Sequence, residues 1–329
     1  MREPVRVRDV VASPGARSQG FLTIGETPSG PLQIPLVIIN GKADGPVLCL
    51  TAGVHATEYA PIDAVMRVAQ GLRPEELKGA VLAVPVANMR MFESRMGFVS
   101  PLDGLNLNKV APGRTGGSIS EILAHVLLEE VIGVAQYHID LHAGDFGEML
   151  LPFAGYALTG DRRMDDQGEV LARLYTPRLI SLATPGGTIP PFPDGIAFAA
   201  TRRGVVSIFA ESGGNGTLED GDVRIHLDGI RRVMQYLGMI DGTPPANGAR
   251  IAARDRLVVR AARSGLLRLK VQVGDELCAG QEVAEVCNVF GDVVERVRVP
   301  GDGIAGLVWA HKVVNTGDPI VRYWITEPA

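Results

Sequence analysis

The sequence predicts an α/β fold with a mixed, mostly parallel sheet, followed by a small all-β barrel. Two observations carry the first part. Apolar, strand-like runs alternate with segments of helical apolar spacing up to about residue 240, and 329 residues at 46% hydrophobic and 21% charged can bury a large core. A third carries the rest: beyond a Pro- and Gly-rich linker at 241–248, short alternating strands are separated by Gly-Asp turns at 274–275, 291–292, 301–302 and 317–318, with no helical period. The expected domains are therefore 1–245 and 246–329. In chain order, residues 20–50 should give two or three strands, punctuated by Gly25, Gly30-Pro31 and Gly45-Pro46. Residues 62–72 place Ile62, Val65, Met66 and Ala69 at helical spacing. Residues 81–87 read as a buried strand. A helix over 120–132 turns Ile122, Leu123, Val126 and Leu127 inward, with Ser118 or Ser120 as its cap. The stretch 184–195 is too rich in Pro and Gly for either element, and reads as a loop that is either a lid or an inert connection. In the last segment, 271–275 and 313–318 echo each other.

Composition excludes several functions. A net charge of −5 and a pI near 5.7 argue against nucleic-acid binding. No apolar run approaches membrane-spanning length, and the first residues lack the apolar core of a signal peptide, so a cytoplasmic location is expected. Cys49, Cys278 and Cys287 form no Cys-x-x-Cys pair, which points to reduced thiols and to neither a disulfide framework nor a thiolate metal site.

The chemistry concentrates where strands end. His55 and Glu58 form a His-x-x-Glu pair just after an apolar run, 46–50, that breaks at Gly53. Residues three apart at a helix start or tight turn lie on one side of the backbone, so an imidazole and a carboxylate can converge on one cation. Nitrogen and oxygen donors without cysteine suit zinc and leave room for a third ligand. The plainer alternative is a histidine beside a solvated glutamate. Downstream, alternation in the strand ending at Gly144 puts His138, Asp140 and His142 on one face. His142, entering the loop, is the expected third ligand, and His138, deeper in the strand, is a packed core residue or a support behind the ligands. Asp140 suits the free ring N–H of a ligand histidine or a strand-end cap equally well. A third strand, 204–210, delivers Glu211 into a glycine turn. A buried carboxylate there suits general-base duty toward a metal-activated water, or acceptance of backbone N–H bonds in the turn.

Between these motifs, residues 92–113 contain Arg95 and Asp103-Gly104-Leu105-Asn106-Leu107-Asn108-Lys109. With His55, Glu58, Asp140, His142 and Glu211 in this order over residues 51–216, the chain resembles the succinylglutamate desuccinylase/aspartoacylase family, relatives of the zinc carboxypeptidases. The resemblance implies a zinc-carboxypeptidase-like α/β sandwich and one zinc ion per chain. The implied activity is removal of an acyl group from a small N-acyl amino acid or similar amide. It implies His55, Glu58 and His142 as zinc ligands and Glu211 as general base. Arg95 matches the arginine that polarises the scissile carbonyl, with Arg90 the neighbouring alternative, and Asn108 with Lys109 match a pair that clamps a substrate carboxylate. The family pattern has arginine where Lys109 stands, in a chain with only five lysines against 27 arginines. An ammonium is a point charge and lacks the planar fork, so substrate choice is where this chain should differ. The last segment resembles a biotinyl/lipoyl-carrier hammerhead, but its tip, 287–292, has no lysine to carry a group. It is expected to shape the substrate entrance or an oligomer contact. The expected partners are a small-molecule substrate and neither nucleic acid nor membrane, with a homo-oligomer left open. A carboxypeptidase-like peptidase and a non-catalytic metal-binding protein of the same fold are the alternative functions.

Overall fold

The computed structural model describes residues 2–176, 179–183, 195–245 and 251–326. The expected loop at 184–195 lies outside the described residues except for Gly195. A sheet of 13 strands dominates the architecture. At its centre Lys78–Val84, Ala43–Thr51, Tyr137–His142 and Val206–Glu211 run parallel in that spatial order. Gly30–Asn40 and Ala16–Thr27 extend one side as an antiparallel hairpin. On the other side Phe153–Ala157 pairs antiparallel with Val206–Glu211, then parallel with Leu179–Ala183, which pairs parallel with Ile251–Arg260.

Strand alternation sorts the core. Leu48, Leu50, Ile139 and Leu141 face one side, where Ile62 and Val65 of helix Tyr59–Gly71, Leu171 of Arg162–Tyr175 and Ile230 of Asp220–Tyr236 cover them. Cys49 and Leu82 face the other side, against Leu123 of helix Ile119–Val126 and Ile196 of Ile196–Arg202. Burying each such leucine contributes about 1.5–3 kcal/mol, so both faces hold the central strands in place. Ser118 caps its helix in a reciprocal box with Glu121. At Val126 the helix widens into a π-helical stretch, Leu127–Val131, and then tightens into a 3-10 turn, Ile132–Val134, so the expected 120–132 span is helical throughout but changes its winding.

The sheet is mixed: before residue 245 four of its seven strand pairs are parallel, and the late strands bring the whole to five parallel and seven antiparallel pairs among the described residues. One expectation needs correction: no closed barrel forms among the described residues. Gly265–Leu269, Glu282–Cys287, Val293–Arg298 and Val313–Val314 make a separate four-stranded sheet. The remaining late strands instead extend the large sheet. Ile251–Arg260 pairs with Pro319–Thr326, which pairs with Gly303–Trp309, and the latter also binds Glu148–Leu150. Edges that a barrel would close on themselves are thus satisfied by Leu179–Ala183 and Glu148–Leu150, strands that precede the late segment.

Candidate metal centre and substrate cavity

The parallel strands carry their chemistry at their carboxyl ends, where α/β sheets bind ligands. Register aligns Thr51 with Asp140 and Glu211 with His142. After Thr51 the chain must leave the sheet sharply, and Gly53 makes this possible. Its φ is +66°, and a Cβ there would lie 2.9 Å from the Cα of Val86. The tight turn that follows brings His55 and Glu58 together before helix Tyr59–Gly71 begins.

His55, Glu58 and His142 form one buried cluster, their candidate ligand atoms all within 4.8 Å of one another, and could hold a metal ion. Glu58 bridges the two histidines: Oε1 lies 2.8 Å from His55 Nδ1 and Oε2 lies 3.0 Å from His142 Nδ1. Both Nδ1 atoms therefore point inward, and both Nε2 atoms are held from behind. His55 Nε2 meets Asn106 Oδ1 at 3.2 Å. His142 Nε2 faces Asp140 Oδ2 at 3.2 Å, somewhat out of line for a well-directed hydrogen bond. The electrostatics favour a cation. Burial opposes charge on all three groups, yet Glu58 is held below its ordinary value by His55 and His142. His142 is driven well above its own by Asp140 and Glu58, against burial. A set of two nitrogens and a carboxylate that stabilises positive charge in a buried hole fits zinc.

His138 lies outside this cluster. Thr51 Oγ1 donates to Asp140 Oδ1 at 2.7 Å and so accepts from His138 Nε2 at 2.9 Å, while His138 Nδ1 is 2.8 Å from Ser207 Oγ. Burial pushes His138 down to about 4, so it is a neutral link in a chain that fixes Asp140. Glu211 faces the cluster from the neighbouring strand. Burial, with Glu58 and Glu148 adding to it, raises its carboxyl to about 8 against the pull of His142.

Glu211 and the cluster line a cavity of about 200 Å³. This is below the roughly 300–1,000 Å³ of pockets for drug-sized ligands, and suits a small molecule. Asn108 and Lys109 also line it. Asn108 Oδ1 accepts the Ile196 backbone N–H at 2.8 Å, so the donor half of its amide is what a ligand can meet. Asp103 anchors this loop by accepting the Ser120 N–H and hydroxyl, each at 2.8 Å. Arg95 is not among the cavity-lining residues. It is an exposed residue with φ +54° at the end of helix Met89–Ser94, three residues before Phe98, whose ring lies 5.5 Å from that of His55. Arg90 pairs with Glu93 at 2.8 Å.

Sequence reasoning missed four polar residues of this cavity. Asn106 was legible as part of the same motif as Asn108. Glu148 sits on a three-residue strand with no local signal. Arg256 and Arg322 reach the cavity from the late strands, which only long-range pairing brings there.

Fold and site together define a class: an α/β protein with a buried His–Glu–His set that could hold a metal ion, beside a carboxylate of raised pKa in a cavity of small-molecule size. Residues 44–237 match the model of the succinylglutamate desuccinylase/aspartoacylase catalytic domain, and the chain belongs to this family. It is 28% identical over 318 residues to the N-alpha-acetyl-L-2,4-diaminobutyric acid deacetylase of Halomonas elongata, covering 92% of this chain and 89% of that protein. Among solved structures, a succinylglutamate desuccinylase/aspartoacylase from Rhodobacter sphaeroides matches with a TM-score of 0.85 and 26% identity, over 95% of this chain and 96% of that one. The product-bound ectoine utilization protein EutE (DoeB) of Ruegeria pomeroyi shares the fold with a TM-score of 0.86 at 21% identity, over 99% and 100% of the two chains.

Proposed function

We propose that this protein is a zinc-dependent amidohydrolase that removes the acyl group from an N-acyl amino acid or similar small amide. The observation that carries this reading is the meeting of His55, Glu58 and His142 with Glu211 at one wall of one small cavity. Zinc held by His55, Glu58 and His142 would act as a Lewis acid toward the amide carbonyl and lower the pKa of water at the site.

The chain's own groups do the rest. Glu211, whose proton affinity sits near neutrality, takes a proton from the attacking water and passes it to the leaving amine. Asp140 and Asn106 keep both ligand histidines in the tautomer that leaves Nδ1 unprotonated. Asn108 and Lys109 bind an anionic group of the substrate. For Arg95 we propose the carbonyl-polarising role that the family pattern implies. Since its side chain is exposed, this requires the 95–99 loop to move inward on substrate. Residues 1–245 form the catalytic unit in this reading, and 246–329 complete its cavity through Arg256, Leu307 and Arg322. No helix among the described residues is long and apolar enough to cross a membrane. The three free cysteines suit a reducing compartment, and on that ground we place the enzyme in the cytoplasm.

The test is amine release from a panel of N-acetyl-, N-succinyl- and N-formyl-amino acids, with zinc content measured on the same preparation. The named activity of the Halomonas relative puts acetylated amino acids, including acetyl-diaminobutyrate, first in that panel. Stoichiometric zinc with release of amine from at least one member is expected. Zinc without turnover across the panel would overturn the deacylase reading.

A further inference from the structure

Glu211 is the last residue of its strand, and the turn that carries the chain away from it begins at Ser212. Ser212 is buried and tied at every polar atom. Its N–H donates to the His142 carbonyl at 3.1 Å, its hydroxyl donates to Asp222 Oδ1 at 3.1 Å, and its carbonyl accepts from His226 Nε2 at 3.1 Å. Asp222 and His226 stand one turn apart on helix Asp220–Tyr236, so one face of that helix grips the residue next to Glu211. Further on, Gly213 takes φ +97° and accepts the Gly144 N–H at 3.0 Å, and the Asn215 N–H donates to the Glu148 carbonyl at 2.7 Å. The same turn thus joins Glu211 to the loop that follows His142.

His226 is buried and is not part of the donor set. Burial pushes its pKa down to about 4, although the Ser212 and His142 backbones favour its protonation, so the ring is neutral. A carbonyl only accepts, which puts the ring proton on Nε2 and leaves Nδ1 an acceptor. Tyr175 Oη, 2.7 Å from Nδ1, supplies the donor, and burial keeps this phenol protonated by raising its pKa well above the ordinary value. The tautomer is therefore set from the side away from Ser212. Gly229, one turn after His226, makes room for this chain: a Cβ there would lie 2.8 Å from the Tyr175 ring. Two polar side chains are thus taken out of water between helices that otherwise meet through Leu171, Ile230 and Val233. Packing alone calls for no such pair, and its polar end falls on the turn that follows Glu211.

We propose that His226, its tautomer fixed by Tyr175, is a positioning residue for Glu211, an inference that rests on the deacylase reading above. By holding the Ser212 carbonyl it fixes how the chain leaves the sheet, and with it the angle at which the Glu211 carboxylate meets the His–Glu–His cluster. A general base must lie within hydrogen-bond reach of the proton it takes, and a misplacement of about 1 Å can cost roughly 100-fold in rate. Neither His226 nor Tyr175 is among the residues that line the cavity, so both act through Glu211.

The experiment is a double-mutant cycle on the zinc-loaded protein with the best substrate of the panel, kcat being counted per zinc-bound molecule. His226→Leu, His226→Gln and Tyr175→Phe are measured alone, and His226→Leu also in the Glu211→Gln background. His226→Leu should lower kcat by about 10–100-fold, with KM within about threefold of the parent's and zinc content unchanged. His226→Gln, whose amide N–H can donate to Ser212 as Nε2 does, should recover much of that loss, and Tyr175→Phe, which frees the tautomer, should lose about tenfold. In the Glu211→Gln background, His226→Leu should change the residual kcat by less than about threefold, since the group it acts through is gone. The same loss in both backgrounds, or a parent-like kcat with only a lowered melting temperature, would overturn this inference alone and leave the pair a structural contact between helices. If His226→Leu does not fold, Tyr175→Phe in both backgrounds carries the same cycle. A parent that releases amine from no panel member would overturn the deacylase reading and this inference with it.

Discussion

Replacing Asp140 by asparagine removes one charge and almost no volume, in the place where the donor set is most exposed to such a change. Asp140 Oδ2 is 3.2 Å from His142 Nε2, and Oδ1 accepts the Thr51 hydroxyl at 2.7 Å. An asparagine can keep the Thr51 bond only by turning its NH₂ group toward His142. Two donors then face each other, and His142 relieves this by moving its proton from Nε2 to Nδ1, the atom that faces Glu58. The inward lone pair is lost. For full unit charges at this separation the Coulomb energy is about 5 kcal/mol at an effective dielectric of 20. A metal-bound imidazole carries only part of a charge, so a smaller share is at stake, in line with the roughly 10–100-fold loss of metal affinity typical when a ligand's supporting carboxylate is removed. Competition for zinc against a chromophoric chelator at fixed pH measures this directly. Zinc affinity within twofold of the parent, together with a lowered melting temperature, would refute the reasoning and make Asp140 a strand-end structural residue.

Three further outcomes are expected. His142→Ala leaves two protein ligands and should lose its metal on dialysis, as read by elemental analysis; full occupancy would remove His142 from the ligand set. Glu211→Gln should keep its metal while kcat falls by about 100-fold or more. Since the base acts deprotonated, the parent's kcat/KM should rise with pH through the Glu211 pKa, at a value below the metal-free value of about 8 because a bound cation favours the carboxylate, and the glutamine variant should lack that limb. Lys109→Met should weaken an anionic substrate by roughly 1.5–3 kcal/mol and a neutral analogue much less, measured as KM or inhibition constants; equal losses would mean that Lys109 supports the loop alone.

What the sequence made legible follows from range. His55 and Glu58 are three residues apart and His142 closes a strand, so each is marked by a local break in an apolar run, and their convergence needs only that parallel strands end at the same edge. The resemblance to the family rested on the order of those motifs together with the segment 92–113 between them. Asn106 stood in plain view, but its role depends on a His55 ring 51 residues away. Arg256 and Arg322 carry no local mark at all. Each is one polar position in an alternating strand, and only a pairing register set by the whole late sheet turns them toward the cavity. The expected barrel failed for the same reason: alternation and Gly-Asp turns specify strands, but not which edges they satisfy.

The pairing of Gly303–Trp309 with Glu148–Leu150 makes the end of the chain a working part of its beginning. A fragment stopped near residue 245 would retain every residue of the His–Glu–His cluster and still be a different object. It would present unpaired backbone along Leu179–Ala183 and Glu148–Leu150, inviting association with another such fragment. Its His–Glu–His cluster would sit in an open trough in place of a walled chamber. Swapping late segments between relatives would accordingly exchange a wall of the chamber, while leaving the cluster and Glu211 untouched.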